Sequence, residues 1–575
     1  MRRLTFLLLC LFIGIGVATA QTMKITGNVI SSEDQQPVIG AAVVVKGTTI
    51  GTDFEGNFSL DVPRDAKMIF ISYVGLKTKE VPVASVINVV LDSDSKALDE
   101  VVVTAMGLTR EKKALGYALQ EVKSDELTKA GQQSLATSLS GKIAGVQITS
   151  QGGQVGASQN IVVRGNSSFG NNQPLIVVDG VPIANDNAKG ATVNLGSGLN
   201  DINPEDIESI SVLKGGSAAL YGMRAGNGVI LVTTKRGAEG KVKVNYSGNV
   251  SFSQPTRIPE MLNSYQYATY VNEFDAAQGN TPTYSETAMA KILDGSDPIS
   301  FPDTDWWDSV TKNWATNTQH SLSVSGGNDK LSFYSSAQYA YQDAIYKNTP
   351  QDYNQYQFTT NIDAKINKSI KFSMDILGRQ EVRNRGIYST EDLFGYFLTT
   401  NPMSAPYYPN GLLRIGYDGI TNNALLMVSD TPGTNKTNYH TLNLKPKVRI
   451  DLDALTPGLY AEGYAALDYS FNDGKSINTP YDIYSYSSAT DEYTNHKDAT
   501  GAISVNSWSN KSNTITLNAR IGYTRTLNEA HRIDAFASYE QSKYNYSSLS
   551  GYRTNYLSSA LPDLDFGSKV DADKD

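Results

Sequence analysis

SLSGKIAGVQITS (138–150), NIVVRGNSSFGNNQPLIVVDGVPI (160–183) and LNDINPEDIESISVLKGGSAALYGMRAGNGVILVTTKRG (199–237) decide the fold. Their apolar runs, Ile161–Val163, Leu175–Val178, Ile210–Leu213 and Val229–Val232, are short, rich in β-branched residues and bounded by Gly, Asn, Asp or Pro. Runs of that kind read as buried strands joined by tight turns. Upstream, Lys123–Leu139 sets Leu127, Leu135 and Leu139 at helix-like intervals, with Ser124 as the expected cap. Strands and helix together predict a small α/β domain over 116–237.

On the N-terminal side the chain opens with Arg2 and Arg3, an apolar run Leu4–Val17 and the Ala18-Thr19-Ala20 cleavage pattern, which predicts an export signal over 1–20. Cys10, the sole cysteine, lies inside that run, so the mature chain is expected to hold no disulfide and no thiolate metal site. Residues 21–94 carry short alternating segments (ITGNVI, AAVVVKGT, GNFSLDV, KMIFISYV, INVVLD) with turn chemistry between them, and predict a small antiparallel β-sandwich. Asp53 and Glu55 sit in an Asp-x-x-Gly turn that needs no calcium to form. The linker 95–115 is polar except around Val101, Val102 and Val103. Such a β-prone segment can add to the sheet edge of a partner, or serve as a strand of either neighbouring domain.

From 238 to 575 the texture changes to long stretches of period two. Nine strands are expected, at about 241–253, 318–326, 331–343, 354–366, 370–383, 439–453, 459–472, 512–526 and 532–545. The links between them alternate strictly, short after even-numbered strands and longer after odd-numbered ones, up to 254–317. That is the pattern of an outer-membrane barrel, with short turns periplasmic and long loops outside. In the sixth strand Leu442, Leu444, Val448, Ile450 and Leu452 share one face, and Lys445, Lys447, Arg449 and Asp451 the other. A basic side chain facing lipid would cost on the order of 2–4 kcal/mol near the midplane, so the charged face is expected to point inward. Pro446 falls on the lipid face and predicts a local bulge.

The ordered motifs GKIAGVQI, VRG, PLIVVDGVP, INPEDIESISVLKG, ALYG and GVILVTTKRG resemble the plug domain of SusC-like (SusC/RagA family) TonB-dependent outer-membrane transporters. GTTIGTDFEGNFSL (47–60) resembles the carboxypeptidase-regulatory-like domain often fused ahead of such plugs. The resemblance implies a multidomain chain: β-sandwich, α/β plug and the first part of a transmembrane antiparallel β-barrel, with sandwich and plug on the periplasmic side of a Gram-negative outer membrane. It implies cargo capture at the cell surface under a SusD-like lipoprotein lid, then plug displacement by TonB using the inner-membrane proton-motive force. The cargo would be a glycan or a peptide, with no cofactor and no covalent chemistry. Asp99, Glu100, Val101, Val102, Val103, Thr104 and Ala105 then correspond to the TonB box. The plug-motif residues to watch are Arg164, Gly165, Asp179, Gly180, Lys214 and Gly215; Arg164 and Asp179 are expected to set plug loops or to meet the barrel wall. Barrels filled by a plug have about 22 strands, and nine leave open edges that a bilayer does not tolerate. The chain is therefore expected to be the N-terminal part of a longer transporter or the product of an interrupted gene.

Ligand chemistry is expected in the long loops. Asp305, Trp306, Trp307 and Asp308, with Asp303 and Trp314, cluster in the first, and Tyr407, Tyr408 and Tyr417 in the third. Rings beside carboxylates suit a sugar, but the same residues serve equally to pack a loop or to seat a partner protein. Other classes fare worse. The chain has 49 Lys and Arg against 58 Asp and Glu, a net charge of −9 that becomes −11 once Arg2 and Arg3 leave with the leader. No basic footprint for nucleic acid is present. A metallopeptidase would need clustered ligands, yet His320, His440, His496 and His531 are scattered. Asp303 and Asp308 alone make a weak glycosidase pair. A receptor that signals without transport stays open.

Overall fold

The computed structural model describes residues 22–568 apart from 33–35, 46–47, 64–65, 74–75, 93–100, 105–108, 112–118, 133, 151–154, 158, 167–168, 170–171, 184–198, 200–201, 417–422 and 528–530. The expected leader with Cys10, the box-like residues Asp99, Glu100 and Ala105, and Tyr417 lie outside the described residues. The chain divides into two units, 1–103 with 109–118, and 104–108 with 119–575.

In the first unit a three-stranded sheet (Asn57–Pro63, Thr22–Ser31, Val86–Leu91) is accompanied by a four-stranded one (Thr48–Gly51, Ala42–Val45, Met68–Tyr73, Leu76–Pro82). The alternation is strict in Asn57–Pro63, where Phe58, Leu60 and Val62 are buried and Asn57, Ser59 and Asp61 exposed. Ile25, Val29, Val43, Ile69, Ile71 and Leu91 complete one apolar core. The sheets are not wholly antiparallel as expected, because Thr26–Ser31 pairs in parallel with Val86–Leu91. Period-two patterning selects the buried face of a strand and carries no information on the direction of its neighbour. Asp53 closes its turn through its own side chain: its Oδ1 accepts from the amides of Glu55 (2.9 Å) and Asn57 (2.8 Å).

The second unit holds plug and barrel wall. The plug sheet has five strands in the order Gln120–Lys123, Ile207–Leu213, Val229–Thr234, Leu175–Val178, Val181–Pro182, and a separate hairpin joins Val146–Ser150 to Gln159–Val163. Val122, Leu127, Leu135, Ile161, Ile176, Ile210 and Ile230 form its core. The single helix expected over 123–139 is two short ones, Ser124–Thr128 and Leu135–Leu139. Gly131, at φ 58°, takes the left-handed conformation between them. Lys123 holds the first cap position and Ser124 is already helical, while Ser134 caps the second helix.

The wall is a nine-stranded antiparallel sheet in chain order: Gly240–Ser253, Ala315–Gly327, Leu331–Asp343, Asp352–Lys365, Ile370–Gly386, Gly433–Asp451, Leu459–Asn478, Ser504–Leu527 and His531–Thr554. Each expected segment is one of these strands, and several run further at the loop end. Ser504–Lys511, for example, adds a polar stretch with no apolar alternation to reveal it. The sheet is open, with the first and ninth strands at its edges. Among the described residues no helix is long and apolar enough to cross a membrane.

At the sixth strand Leu442, Val448 and Ile450 are exposed outward and Lys445 is buried inward, as the cost of charge in lipid requires. The bulge expected at Pro446 is absent. Leu444↔Leu467 and Lys447↔Tyr464 keep one register while the two intervening pairs are missing, and Met374↔Pro446 stays in the ladder on the other side. A missing amide removes bonding toward one neighbour only, so the ladder opens without an inserted residue.

Candidate functional site

The plug motif residues occupy tight turns. Asp179 and Gly180 have φ of 47° and 85° and join Leu175–Val178 to Val181–Pro182 as a two-residue hairpin loop, which calls for an Asp-Gly pair. Arg164 and Gly165 are likewise left-handed, at 62° and 88°. Lys214 and Gly215 begin a 3-10 segment, Gly215–Ala225, whose first turn is closed by the Lys214 amide donating to Ser217 Oγ at 3.0 Å. The Lys214 ammonium donates to the Ala144 carbonyl. Burial, then the Arg164 guanidinium, pushes its pKa below the usual lysine value. This is a structural tie.

Asp179 does more than turn the chain. Its carboxylate accepts from the Thr234 amide (3.0 Å) and hydroxyl (2.6 Å), which locks two parallel plug strands at their ends. Just beyond Thr234, the Arg236 guanidinium reaches across to the wall. It lies 2.7 Å from Asp375 and 3.0 Å from Asp363, with Asp179 at 4.0 Å. Lys445 closes the network, 2.8 Å from Asp375 and donating to the Asp179 carbonyl at 2.9 Å. Asn361 donates to Thr234 Oγ1 (2.9 Å) and the Lys235 carbonyl (2.8 Å). Two cations thus share three carboxylates at the seam between plug and wall. Burial alone would lower the Arg236 pKa, but Asp375, Asp179 and Asp363 more than reverse this and keep the guanidinium charged.

Asp206 stands at the same seam, 1% exposed, accepting from Tyr334 at 2.8 Å. Burial raises its pKa above 3.8, against hydrogen bonds from Ser336, Tyr334 and Thr359 and the charge of Lys235. Between 3.8 and that raised value the folded state holds the extra proton, so this group's contribution to stability falls as pH rises. Asp206→Asn is expected to remove that downward slope from a plot of melting temperature against pH. An unchanged slope would show that Asp206 ionises in the fold as it does in the unfolded chain.

At the outer end the loops pack into their own layer. Trp306, Val310, Tyr346, Leu393, Phe397 and Met427 form its core, and Val155 at the plug tip packs against it. Beside Val155, the Gly156 amide donates to Gln342 (2.8 Å), and a Cβ on Gly156 would come within 2.6 Å of the Tyr353 ring. Trp306 is 3% exposed and donates from Nε1 to the Asn401 carbonyl at 3.2 Å. Asp305 caps the helix Trp306–Val310 through the Asp308 amide (2.9 Å), and Asp303 accepts from the Ser264 amide (2.8 Å) at the start of the helix Ser264–Gln278. Trp307 is half-buried and Asp308 exposed. Trp314 and Tyr407 stand open at 53% and 49%, whereas Tyr408 is buried against Tyr493 with Arg414 over its ring. Trp306→Phe, which deletes the indole donor and some volume, is expected to cost the loop layer about 1–2 kcal/mol. Faster proteolysis of residues 254–314 in the folded protein would report it; an unchanged rate would remove Trp306 from the layer's supports.

Of the box-like residues, Val101–Val103 pairs antiparallel with Thr109–Glu111, and Val102 and Thr104 are buried. Among the described residues no group of His, Cys, Asp and Glu is arranged to hold a metal. Sequence reasoning missed Arg236, Asp363 and Asp375 as a unit. Alternation puts Lys445 on the inward face of the sixth strand, but partners that lie far apart in the chain leave no local signal.

Comparison with known proteins agrees with this architecture. Residues 25–103 match the CarboxypepD_reg-like domain family and residues 111–229 the TonB-dependent receptor plug domain family. The chain is 34% identical over 486 residues to the TonB-dependent receptor SusC of Bacteroides thetaiotaomicron, covering 78% of this chain and 45% of that one. It is 29% identical over 579 residues to the TonB-dependent receptor P39 of Formosa agariphila, covering 96% and 49%. In structure it resembles the RagAB peptide importer in its open-open state, with a TM-score of 0.66 at 21% identity over 82% of this chain and 52% of that one, a likeness of fold. The chain spans about half the length of the curated relatives it matches. Sandwich, plug and open nine-stranded wall, with these matches, place the chain in the SusC/RagA family of TonB-dependent receptors of the outer membrane, a family of transporters rather than enzymes.

Proposed function

We propose that this chain forms the plug-bearing part of a TonB-dependent importer that takes a large nutrient, an oligosaccharide, across the outer membrane. The observation that carries the reading is the seam: a folded plug tied to the inner face of a strand wall by Arg236, Asp179, Asp375 and Lys445, with its tip against the loop layer. A plug fixed in that way has to be displaced before cargo passes, and TonB, engaging residues 99–105, supplies the pull. A SusD-like lipoprotein covers the loops. Trp314 and Tyr407, exposed in the loops, offer rings to the apolar faces of a sugar.

The test is accumulation of labelled oligosaccharides and, separately, oligopeptides by cells carrying the full-length protein, with and without a protonophore. Protonophore-sensitive accumulation of oligosaccharide supports the reading. Accumulation of peptide alone, which the likeness in fold to the RagAB peptide importer makes the leading alternative, replaces the cargo and keeps the transport. Ligand-dependent transcription without accumulation would make the protein a signalling receptor.

A further inference from the structure

The outward face of the wall changes character along its length. In the sixth to ninth strands the outward positions are apolar at Leu442 to Ile450, Ala461 to Tyr469, Ile515 to Ile521 and Ile533 to Tyr539. Toward the loop end they become His440 and Lys436, Phe471 and Lys475, Lys511, and Lys543. Pairing fixes these orientations: Ile515 is exposed between buried Thr516 and inward neighbours, Lys543 is its partner, and Lys511 is the partner of Phe471. The Lys511 ammonium lies 5.7 Å from the Phe471 ring centre. On this face Asp473 is engaged with His440 (3.7 Å) and Asn438 (2.9 Å), and Asp563 with Lys475 (3.0 Å). Lys436, Lys511 and Lys543 are exposed and have no carboxylate partner among the described residues.

Directly below lies a recess of about 370 Å³ in the same outward face, lined by Val448, Gly463, Ala465, Leu517, Ala519 and Tyr539. Small side chains at Gly463, Ala465 and Ala519 form its floor, beside the ladder opening at Pro446. Lys543 stands four residues beyond Tyr539 on one strand, about 13 Å away at the rise of an extended chain. A recess open to hydrocarbon with cations one headgroup above it matches a single kind of occupant.

We propose that this face binds an anionic, phosphate-bearing glycolipid of the outer leaflet, with its phosphates at Lys511 and Lys543 and one acyl chain in the recess. The charge complementarity argues for the headgroup and the apolar hollow for the chain. The inference rests on these strands crossing the membrane, not on the identity of the transported cargo.

The test uses the full chain extracted in detergent, and native mass spectrometry of complexes with three probes: an acylated diglucosamine lipid bearing phosphates, its dephosphorylated counterpart, and inorganic phosphate. The phosphorylated lipid is expected to bind, and K511Q/K543Q to weaken it about thirtyfold, at roughly one headgroup contact per lysine. Ala519→Trp, which fills the recess, is expected to weaken it about tenfold. Both lysines are exposed, so their replacement leaves the fold intact. Equal binding of parent and K511Q/K543Q, equal binding of the dephosphorylated lipid, or inorganic phosphate competing as well as the lipid would each overturn the proposal. An unaffected Ala519→Trp would overturn the seat for the chain.

Discussion

Deleting residues 99–105 from the full-length transporter is expected to abolish energised uptake of cargo while leaving cargo binding at the cell surface unchanged. Among the described residues, Val101–Val103 is a strand of three residues paired with Thr109–Glu111 alone. A two-stranded pairing that short is marginal by itself. Its backbone can therefore be exchanged for the edge of a partner's sheet, where main-chain hydrogen bonds supply the affinity. Val102→Pro withdraws an amide donor at the centre of the segment and is expected to reduce uptake in the same direction, whereas Val102→Ile keeps the donor and the β-propensity and should preserve it. Labelled cargo counted inside and outside cells, with and without a protonophore, separates the two steps. Uptake that persists after the deletion would detach these residues from TonB.

The second large effect belongs to Asp375→Ala. Removing this carboxylate leaves Arg236 and Lys445 facing one another at the seam, with Asp363 and a more distant Asp179 beside Arg236 and Asp468 near Lys445. Breaking a buried ion pair from one side costs about 3–5 kcal/mol, and the partial exposure of Arg236, 32%, places this case near the low end. The loss falls on the seating of the plug and not on the wall, because Met374 and Ile376 keep their strand pairs with Pro446 and Leu444. Hydrogen exchange at Val229–Thr234 and Leu175–Val178 should therefore accelerate by about a hundredfold or more, while the fifth and sixth strands stay protected. Exchange unchanged in the plug would show that Asp206 with Tyr334, and Asn361 with Thr234, hold it without the ion network.

Much of the fold was legible because its signals are local. β-branched runs between Gly and Asp announced the plug strands, and period-two alternation announced all nine wall strands, because lipid on one side and plug on the other penalise any slip of register. What was not legible depended on distance or direction. The parallel pairing of Thr26–Ser31 with Val86–Leu91 has no mark in either segment. Pro446 was located on the correct face, yet whether its missing amide bends the strand or merely opens one ladder depends on the neighbour it faces. For the site, Asp179 could be singled out as a charged residue ending a buried strand, but its partnership with Arg236, Asp375 and Lys445 exists only after four separate elements meet. In the loops, Trp306 and Trp307 are adjacent and chemically identical, and only the helix beginning at Trp306 decides which ring enters the core.

The order of strands in the plug sheet also sets how the plug responds to force. Gln120–Lys123, the strand nearest the N-terminal side, lies at one edge and is held by a register of four residues to Ile207–Leu213. Val229–Thr234, nearest the covalent joint with the first wall strand, lies at the centre and is flanked on both sides. Tension applied from upstream therefore meets its weakest element first and its strongest last. A pull of increasing load would strip the edge strand while the central strand and Arg236 still hold, so the plug has a built-in sequence of yielding, with a stop near the point where it is tethered.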